Sequence, residues 1–328
     1  MTLPLAPARP RRIAFAGTPD DAVPALQALA AAGLEVPVVV TGEPRRRSRR
    51  GSDAASPVAE AAAELGLPVS HSPADLAGCD ADCAVVVAYG RLIDEDLLAA
   101  TPMLNLHFSL LPRWRGAAPV ERALLAGDDR TGVSLMSLEP TLDTGPVYWC
   151  HEMPIGPADT AAQLRRRLAQ EGAERLAASL SGGLGTPQPQ AGEPTYARKL
   201  TPADRQIDWS RPTAVVDRQI RVGGAWTTLD GERFIVREAT PLPDKAVAPQ
   251  PGSSSTGPAD RSPDPRAESG DTPTQAERGA PPGTLVDDAV ATGDAHILLR
   301  TVQPAGRPAL DAQDWLRGAR LRAGTRFG

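Results

Sequence analysis

Apolar and polar positions divide the chain into two patterns that meet near residue 206. In the first, short apolar runs alternate with stretches whose apolar residues recur at helical spacing, as strands and helices do in a parallel α/β sheet. Residues 12–16 form an apolar strand that ends at Gly17-Thr18-Pro19-Asp20-Asp21. Thr18 is placed as an N-cap, Pro19 as a first helical residue, and the two carboxylates complement a helix dipole. The spacing predicts a helix to about Ala32, stopped by Gly33, and then a strand over 35–41. Residues 54–65 are expected as a helix, 67–70 as a short strand, and 83–88 as a valine-rich strand covered on both faces. A helix over 94–100, a strand over 103–108, a helix over 119–126 and strands over 131–138 and 146–150 follow. A long helix over 159–180 closes this part.

Beyond it the pattern changes. Residues 181–190 are rich in Gly and Pro, and 181–205 is expected as a linker. Residues 213–221 suit a helix. Residues 225–229 and 233–238 flank Asp230-Gly231 as a hairpin, and strand patterns resume over 284–290 and 295–302. Short strands around hairpins predict a small β-barrel. The stretch 241–282 contains no aromatic residue and is dominated by Pro, Ser, Gly, Asp and Glu. It is expected to be a disordered insertion in a barrel loop, which costs little in loop closure. The expected organisation is 1–180, a linker over 181–205, and 206–328 carrying the insertion.

Composition narrows the function classes. With 328 residues there is room for two domains, and a net charge of -5 gives no global positive field for nucleic acid. Any such contact must come from a local patch, and one exists. Arg45, Arg46, Arg47, Arg49 and Arg50 place five arginines in six positions. A solvated loop and a phosphate-docking arm are both open readings. The run leaves the C-terminal end of a strand, where open α/β sheets place ligands, and that favours the arm. Cys79, Cys83 and Cys150 cannot build a disulfide framework and lack zinc spacing, so a reducing, cytoplasmic setting is expected. No apolar run has the length of a membrane span, and residues 1–12 do not read as a secretory signal. The glycines do not match Gly-x-Gly-x-x-Gly, which gives little support to a nicotinamide or flavin site.

The candidate chemistry lies in 105–116, Asn-Leu-His-Phe-Ser-Leu-Leu-Pro-Arg-Trp-Arg-Gly, and in Leu142-Asp143-Thr144-Gly145. Asn105 and His107 are two apart in an expected strand, so their side chains leave one face. An amide there can donate to a developing oxyanion, an imidazole can handle a proton, and Asp143 would set the tautomer and basicity of that imidazole. Asn or His alone at a strand end is more often a satisfied polar cap. The two together, with the Ser-Leu-Leu-Pro turn and the Asp-Thr-Gly loop, point to catalysis.

These residues resemble the methionyl-tRNA formyltransferase family. The resemblance is carried by Phe15-Ala16-Gly17-Thr18-Pro19, Asn105-Leu106-His107, Ser109 through Pro119, Thr131-Gly132-Val133 and Leu142-Asp143-Thr144-Gly145. Further on it is carried by Ile207-Asp208-Trp209, Gly224-Ala225-Trp226-Thr227 and Gln303-Pro304-Ala305-Gly306. It implies a Rossmann-like parallel-sheet domain followed by a C-terminal, OB-like β-barrel. It implies transfer of a formyl group from 10-formyltetrahydrofolate to the α-amine of methionine on initiator tRNA. The implied catalytic residues are Asn105, His107 and Asp143, with Ser109, Leu110, Leu111 and Pro112 at the folate. The five arginines would meet the tRNA, and no metal is called for. A monomer with no membrane association is expected. The chain departs from the family pattern at Asp21, where an aromatic near the methionine pocket is usual, and at Phe108, where a small residue is usual and which is expected to reshape the site entrance. The insertion and a shortened run before Gly224 depart further. A folate-dependent formyltransferase acting on a nucleotide-sugar amine, and a non-catalytic tRNA- or folate-binding module, are the competing readings. The arginines and barrel argue against the first, and the complete Asn-His-Asp set argues against the second.

Overall fold

The computed structural model describes residues 3–46, 53–242, 280–319, 321–322 and 324–328. They divide into two compact units, one of residues 1–204 with 221–223 and the other of 205–220 with 224–328.

The first unit is built on a seven-stranded sheet. Its elements in chain order are β1 (Ile13–Gly17), α1 (Val23–Ala31), β2 (Val39–Val40), β3 (Arg45–Arg46), β4 (Asp53–Ala54), α2 (Pro57–Glu64) and β5 (Val69–Ser70). There follow α3 (Asp75–Gly78), β6 (Cys83–Val87), α4 (Glu95–Ala100), β7 (Met103–His107), α5 (Pro119–Ala126), β8 (Arg130–Ser137), β9 (Val147–Pro154) and α6 (Ala161–Gly182). The strand order is β5-β2-β1-β6-β7-β8-β9, with β3 and β4 paired apart as a two-stranded ribbon. The first five strands are mutually parallel, β8 pairs antiparallel with β7, and β9 pairs antiparallel with β8, so the sheet is mixed.

Alternation along the strands sorts the core onto two faces. Ile13, Phe15, Val85 and Leu104 pack on one side with residues of α1, α2, α5 and α6. Ala14, Ala16, Val86 and Met103 pack on the other with Leu76 of α3 and Leu98 of α4. Helix α6 puts Leu164, Leu168, Leu176 and Leu180 into the first face with no exposure. Each such burial is worth about 1.5–3 kcal/mol. The Cys83 thiol is buried in β6, and burial pushes its pKa up to about 12.

Several local expectations need correction. Thr18 does not cap a helix. Asp20–Ala22 form a single 3-10 turn before α1, and no side chain caps it. The Thr18 hydroxyl instead donates to the Tyr89 carbonyl (3.2 Å) and accepts from the Gly42 amide (3.3 Å), joining the loops that follow β1, β2 and β6. The strand expected over 35–41 is reduced to two residues. Strand β9 runs on to Pro154 and so includes His151. Residues 181–204, expected as a linker, lie within the first unit and are tied to it. Arg122 of α5 grips both oxygens of Asp204 (2.9 and 3.1 Å), while Thr201 donates to it from backbone and hydroxyl (both 2.8 Å). Those bonds, the Arg122 pair foremost, hold the Asp204 carboxyl well below the usual carboxylate range.

The second unit contains α7 (Thr213–Val222) up to residue 220, β10 (Trp226–Leu229), β11 (Glu232–Pro241), β12 (Leu285–Val286), β13 (Ala289–Ala291), β14 (His296–Pro304), β15 (Leu310–Asp311) and α8 (Ala312–Ala319). Its strands form an antiparallel half-barrel in the order β10-β11-β14-β13-β12, with β15 also on β14. Trp209, Phe234, Trp315 and Phe327 meet at the centre with ring centroids 4.7–6.3 Å apart. The Trp209 indole N–H donates to the buried Thr227 hydroxyl (3.0 Å), which explains two of the sequence motifs as core construction. Of the expected insertion at 241–282, Pro241 closes β11, Leu242 and 280–282 are described, and 243–279 lie outside the described residues. Among the described residues no helix is long and apolar enough to cross a membrane.

Candidate active site

Strand β7 is central, hydrogen-bonded to β6 on one side and β8 on the other. Leu104 and Leu106 enter the first core, so Asn105 and His107 leave by the opposite face, as their spacing requires. Both belong to the C-terminal half of the strand, where open α/β sheets place ligands. His107 is 6% exposed. Asn105 is half-buried, and its side-chain amide has no hydrogen-bond partner among the described residues.

The third member arrives on the loop between β8 and β9. Asp143 is 7% exposed and sits in the left-handed region at φ 53°. One carboxylate oxygen, Oδ2, accepts from the Gly116 amide (2.7 Å) and lies 3.8 Å from His107 Nδ1. Gly145 closes the same loop because nothing larger fits: a Cβ there would stand 1.9 Å from the Ser137 carbonyl oxygen. The Asp-Thr-Gly sequence is thus a backbone device for delivering Asp143.

His107 has a second partner that the sequence did not reveal. Its Nε2 lies 2.9 Å from the Trp114 carbonyl oxygen. A carbonyl only accepts, so Nε2 carries a hydrogen and Nδ1 is the ring atom that faces Asp143. The Trp114 carbonyl thus holds one ring nitrogen and Asp143 faces the other. The separation of 3.8 Å is too long for a hydrogen bond but within ion-pair distance. Trp114 is itself in the left-handed region at φ 63°, which for a bulky residue costs about 1–2 kcal/mol. It is held there by its indole N–H to Asp128 (2.8 Å) and its backbone N–H to the Thr195 hydroxyl (2.9 Å).

Thr195 belongs to the segment expected as a linker. From residue 188 to 197 this segment runs as a strap along the 112–118 loop. Gln188 exchanges backbone bonds with Val147 (both 2.8 Å), and Thr195 accepts from the Arg115 amide (2.8 Å). Ala197 donates to the Arg115 carbonyl (2.6 Å) and accepts from the Ala118 amide (3.1 Å). Gly116, at φ 121°, has the Ala197 carbonyl oxygen 2.8 Å from where a Cβ would be. Its conformation and the close approach of the strap both demand glycine.

The remaining expected site residues are placed as follows. Ser109 is fully buried and its hydroxyl donates to the Arg113 carbonyl (2.6 Å), so it shapes the turn from inside. Leu111 is buried, whereas Leu110 and Pro112 are half-buried, and the Leu111–Pro112 peptide is cis. Arg45 and Arg46 form β3, paired with Asp53–Ala54, while Arg47, Arg49 and Arg50 lie outside the described residues. Phe108 packs into the first core. Asp21 is ion-paired to Arg165 (3.4 Å), which also meets Glu121, and burial pushes its carboxyl up despite Arg165. Among the described residues neither side chain bonds to Asn105, His107 or Asp143.

The formyl transferase domain family matches residues 11–180, and the formyl transferase C-terminal domain family matches 199–320. A methionyl-tRNA formyltransferase of Acidothermus cellulolyticus is 42% identical over 96% of this chain and 99% of its own length. That of Thermobifida fusca is 41% identical over 97% and 99%. The chain belongs to the methionyl-tRNA formyltransferase family. This formyltransferase also shares its fold with more distant solved structures. An N-formyltransferase from Helicobacter canadensis in complex with folinic acid and dTDP-3-aminofucose superposes with a TM-score of 0.61 at 14% identity, covering 90% of this chain and 99% of that one. HypX from Aquifex aeolicus in complex with tetrahydrofolic acid gives 0.59 at 16% identity, covering 94% of this chain and 47% of that one.

Proposed function

We propose that this formyltransferase takes its formyl group from 10-formyltetrahydrofolate and places it on the α-amino group of methionine esterified to initiator tRNA. The observation that carries the chemistry is the shared face of Asn105 and His107, with Asp143 Oδ2 3.8 Å from the imidazole. The amine nitrogen bonds to the formyl carbon, and the bond from that carbon to folate N10 breaks. The amine loses one proton and N10 gains one. Asn105, whose amide has no protein partner among the described residues, donates to the oxygen of the tetrahedral intermediate. Asp143 anchors Oδ2 on Gly116, while Oδ1 has no hydrogen-bond partner among the described residues, so Oδ1 accepts the proton of the attacking amine. His107 holds its Nε2–H on Trp114 and offers Nδ1 to the proton in transit, with Asp143 beside it to balance the charge. The loop from Ser109 to Pro112 borders the folate.

The test of donor and acceptor is a competition assay. Labelled 10-formyltetrahydrofolate is offered with methionyl-tRNA and a nucleotide-linked amino sugar together. Label is expected on the tRNA; label on the sugar alone overturns the reading.

The tRNA is held in part by Arg45, Arg46, Arg47, Arg49 and Arg50, the local positive patch of an acidic chain. Replacing all five with alanine is predicted to raise KM for tRNA roughly tenfold or more and to flatten its salt dependence. A change confined to the KM for folate would remove the arginines from the tRNA site. In this reading the enzyme acts as a cytoplasmic monomer.

A further inference from the structure

We propose that Gln190 is a positioning residue for formyl transfer, whose side-chain amide locks the loop carrying Asp143 to the loop carrying Gly116. Gln190 lies in the strap, in a stretch whose sequence suggests only a tether. Its side chain is half-buried and every polar position on it is used. Nε2 donates to the Asp143 carbonyl (2.9 Å) and to the Gly145 carbonyl (2.9 Å). Oε1 accepts from Arg115 Nε (3.1 Å) and Nη2 (2.7 Å). The partners fix which end is which, since carbonyls only accept and a guanidinium only donates.

This arrangement bears directly on the reacting groups. Asp143 holds a left-handed backbone conformation, uncommon for a residue with a side chain. The bond to its carbonyl restrains that conformation, and the bond to Gly145 restrains the other side of the turn. Arg115, gripped by the same amide, immediately precedes Gly116, whose N–H orients the Asp143 carboxylate. One side chain therefore fixes both the donor and the acceptor of the Gly116–Asp143 bond. It also restrains the backbone from which Asp143 reaches to within 3.8 Å of His107. Among the described residues Gln190 bonds to neither the reacting oxygen nor the imidazole, so its action is through Asp143.

The inference rests on the role proposed above for Asp143, and the experiment separates the two. Gln190→Met keeps the length and removes all four bonds. Gln190→Glu keeps an acceptor for Arg115 but turns a carboxylate towards two carbonyl oxygens, so it preserves the tie to Arg115 while losing both donors. Each is predicted to lower kcat about 10- to 100-fold, since a displacement near 1 Å costs about 100-fold. KM for donor and tRNA should stay within about twofold in both variants, with thermal melting as the control for folding. In the Asp143→Asn background, Gln190→Met should cost little more, because the group it positions has lost its charge. An unchanged kcat in both variants, or a full additional loss in the Asp143→Asn background, overturns the inference while leaving the role of Asp143 standing. Parent-like turnover of Asp143→Asn itself overturns the reading on which the inference rests.

Discussion

Asp143→Asn is predicted to leave the fold intact and to lower kcat by about 10²–10⁴-fold, the range of a positioned group that moves a proton. The substitution is nearly isosteric. An amide oxygen can still accept from the Gly116 N–H, which now meets Oδ2 at 2.7 Å, so the loop keeps its main side-chain anchor. The bonds from the Gln190 side-chain amide to the Asp143 and Gly145 carbonyls are untouched. What disappears is the negative charge 3.8 Å from His107 Nδ1 and the basic oxygen for the amine. The loss should therefore fall on kcat, with KM for the folate donor little changed. Single-turnover formylation of methionyl-tRNA, with thermal melting as the control for folding, measures both. Turnover near that of the parent would show Asp143 to be a loop anchor only.

The same geometry shows what a sequence can and cannot disclose. The period of two that places Asn105 and His107 on one face is visible in the letters, because strand alternation is local. The parallel sheet was legible for the same reason, from short apolar runs separated by helical ones. The antiparallel edge β8–β9 was not, since a strand's direction depends on the path of the chain between strands. Thr18 followed the N-cap pattern, yet its hydroxyl serves Tyr89 and Gly42, partners 71 and 24 residues away. The strap is the largest omission. Pro and Gly content marks 181–190 as irregular, but irregular chain can still be tightly bound when its polar groups find fixed partners. Gln190 finds Arg115, Asp143 and Gly145 at separations of 75, 47 and 45 residues, which no local pattern encodes. Helix α8, by contrast, is encoded locally. Ala312, Trp315, Leu316 and Ala319 recur at helical spacing, and Asp311 caps them by accepting from Gln313 (2.8 Å) and Asp314 (3.2 Å).

Asn105→Ala is predicted to lower kcat by about 10²–10³-fold, or roughly 2.7–4 kcal/mol of transition-state stabilisation, the magnitude of one lost oxyanion donor. The strand itself should not notice. Asn105 is held in register with Val86 of β6 and Met136 of β8 through backbone pairing, which alanine retains. Its side chain makes no hydrogen bond within the described residues, so truncation leaves no buried partner unsatisfied, and the Tm should move little. Binding of either substrate draws little on a donor that strengthens as charge develops, so both KM values should stay near those of the parent. Asn105→Asp sharpens the assignment. It keeps the shape but replaces the donor with an anion aimed at a developing anion, and it should be slower than the alanine variant. If aspartate at this position restored turnover, or if the alanine variant lost activity only in step with its Tm, the amide would be a strand-end polar group and the oxyanion would have to be held elsewhere.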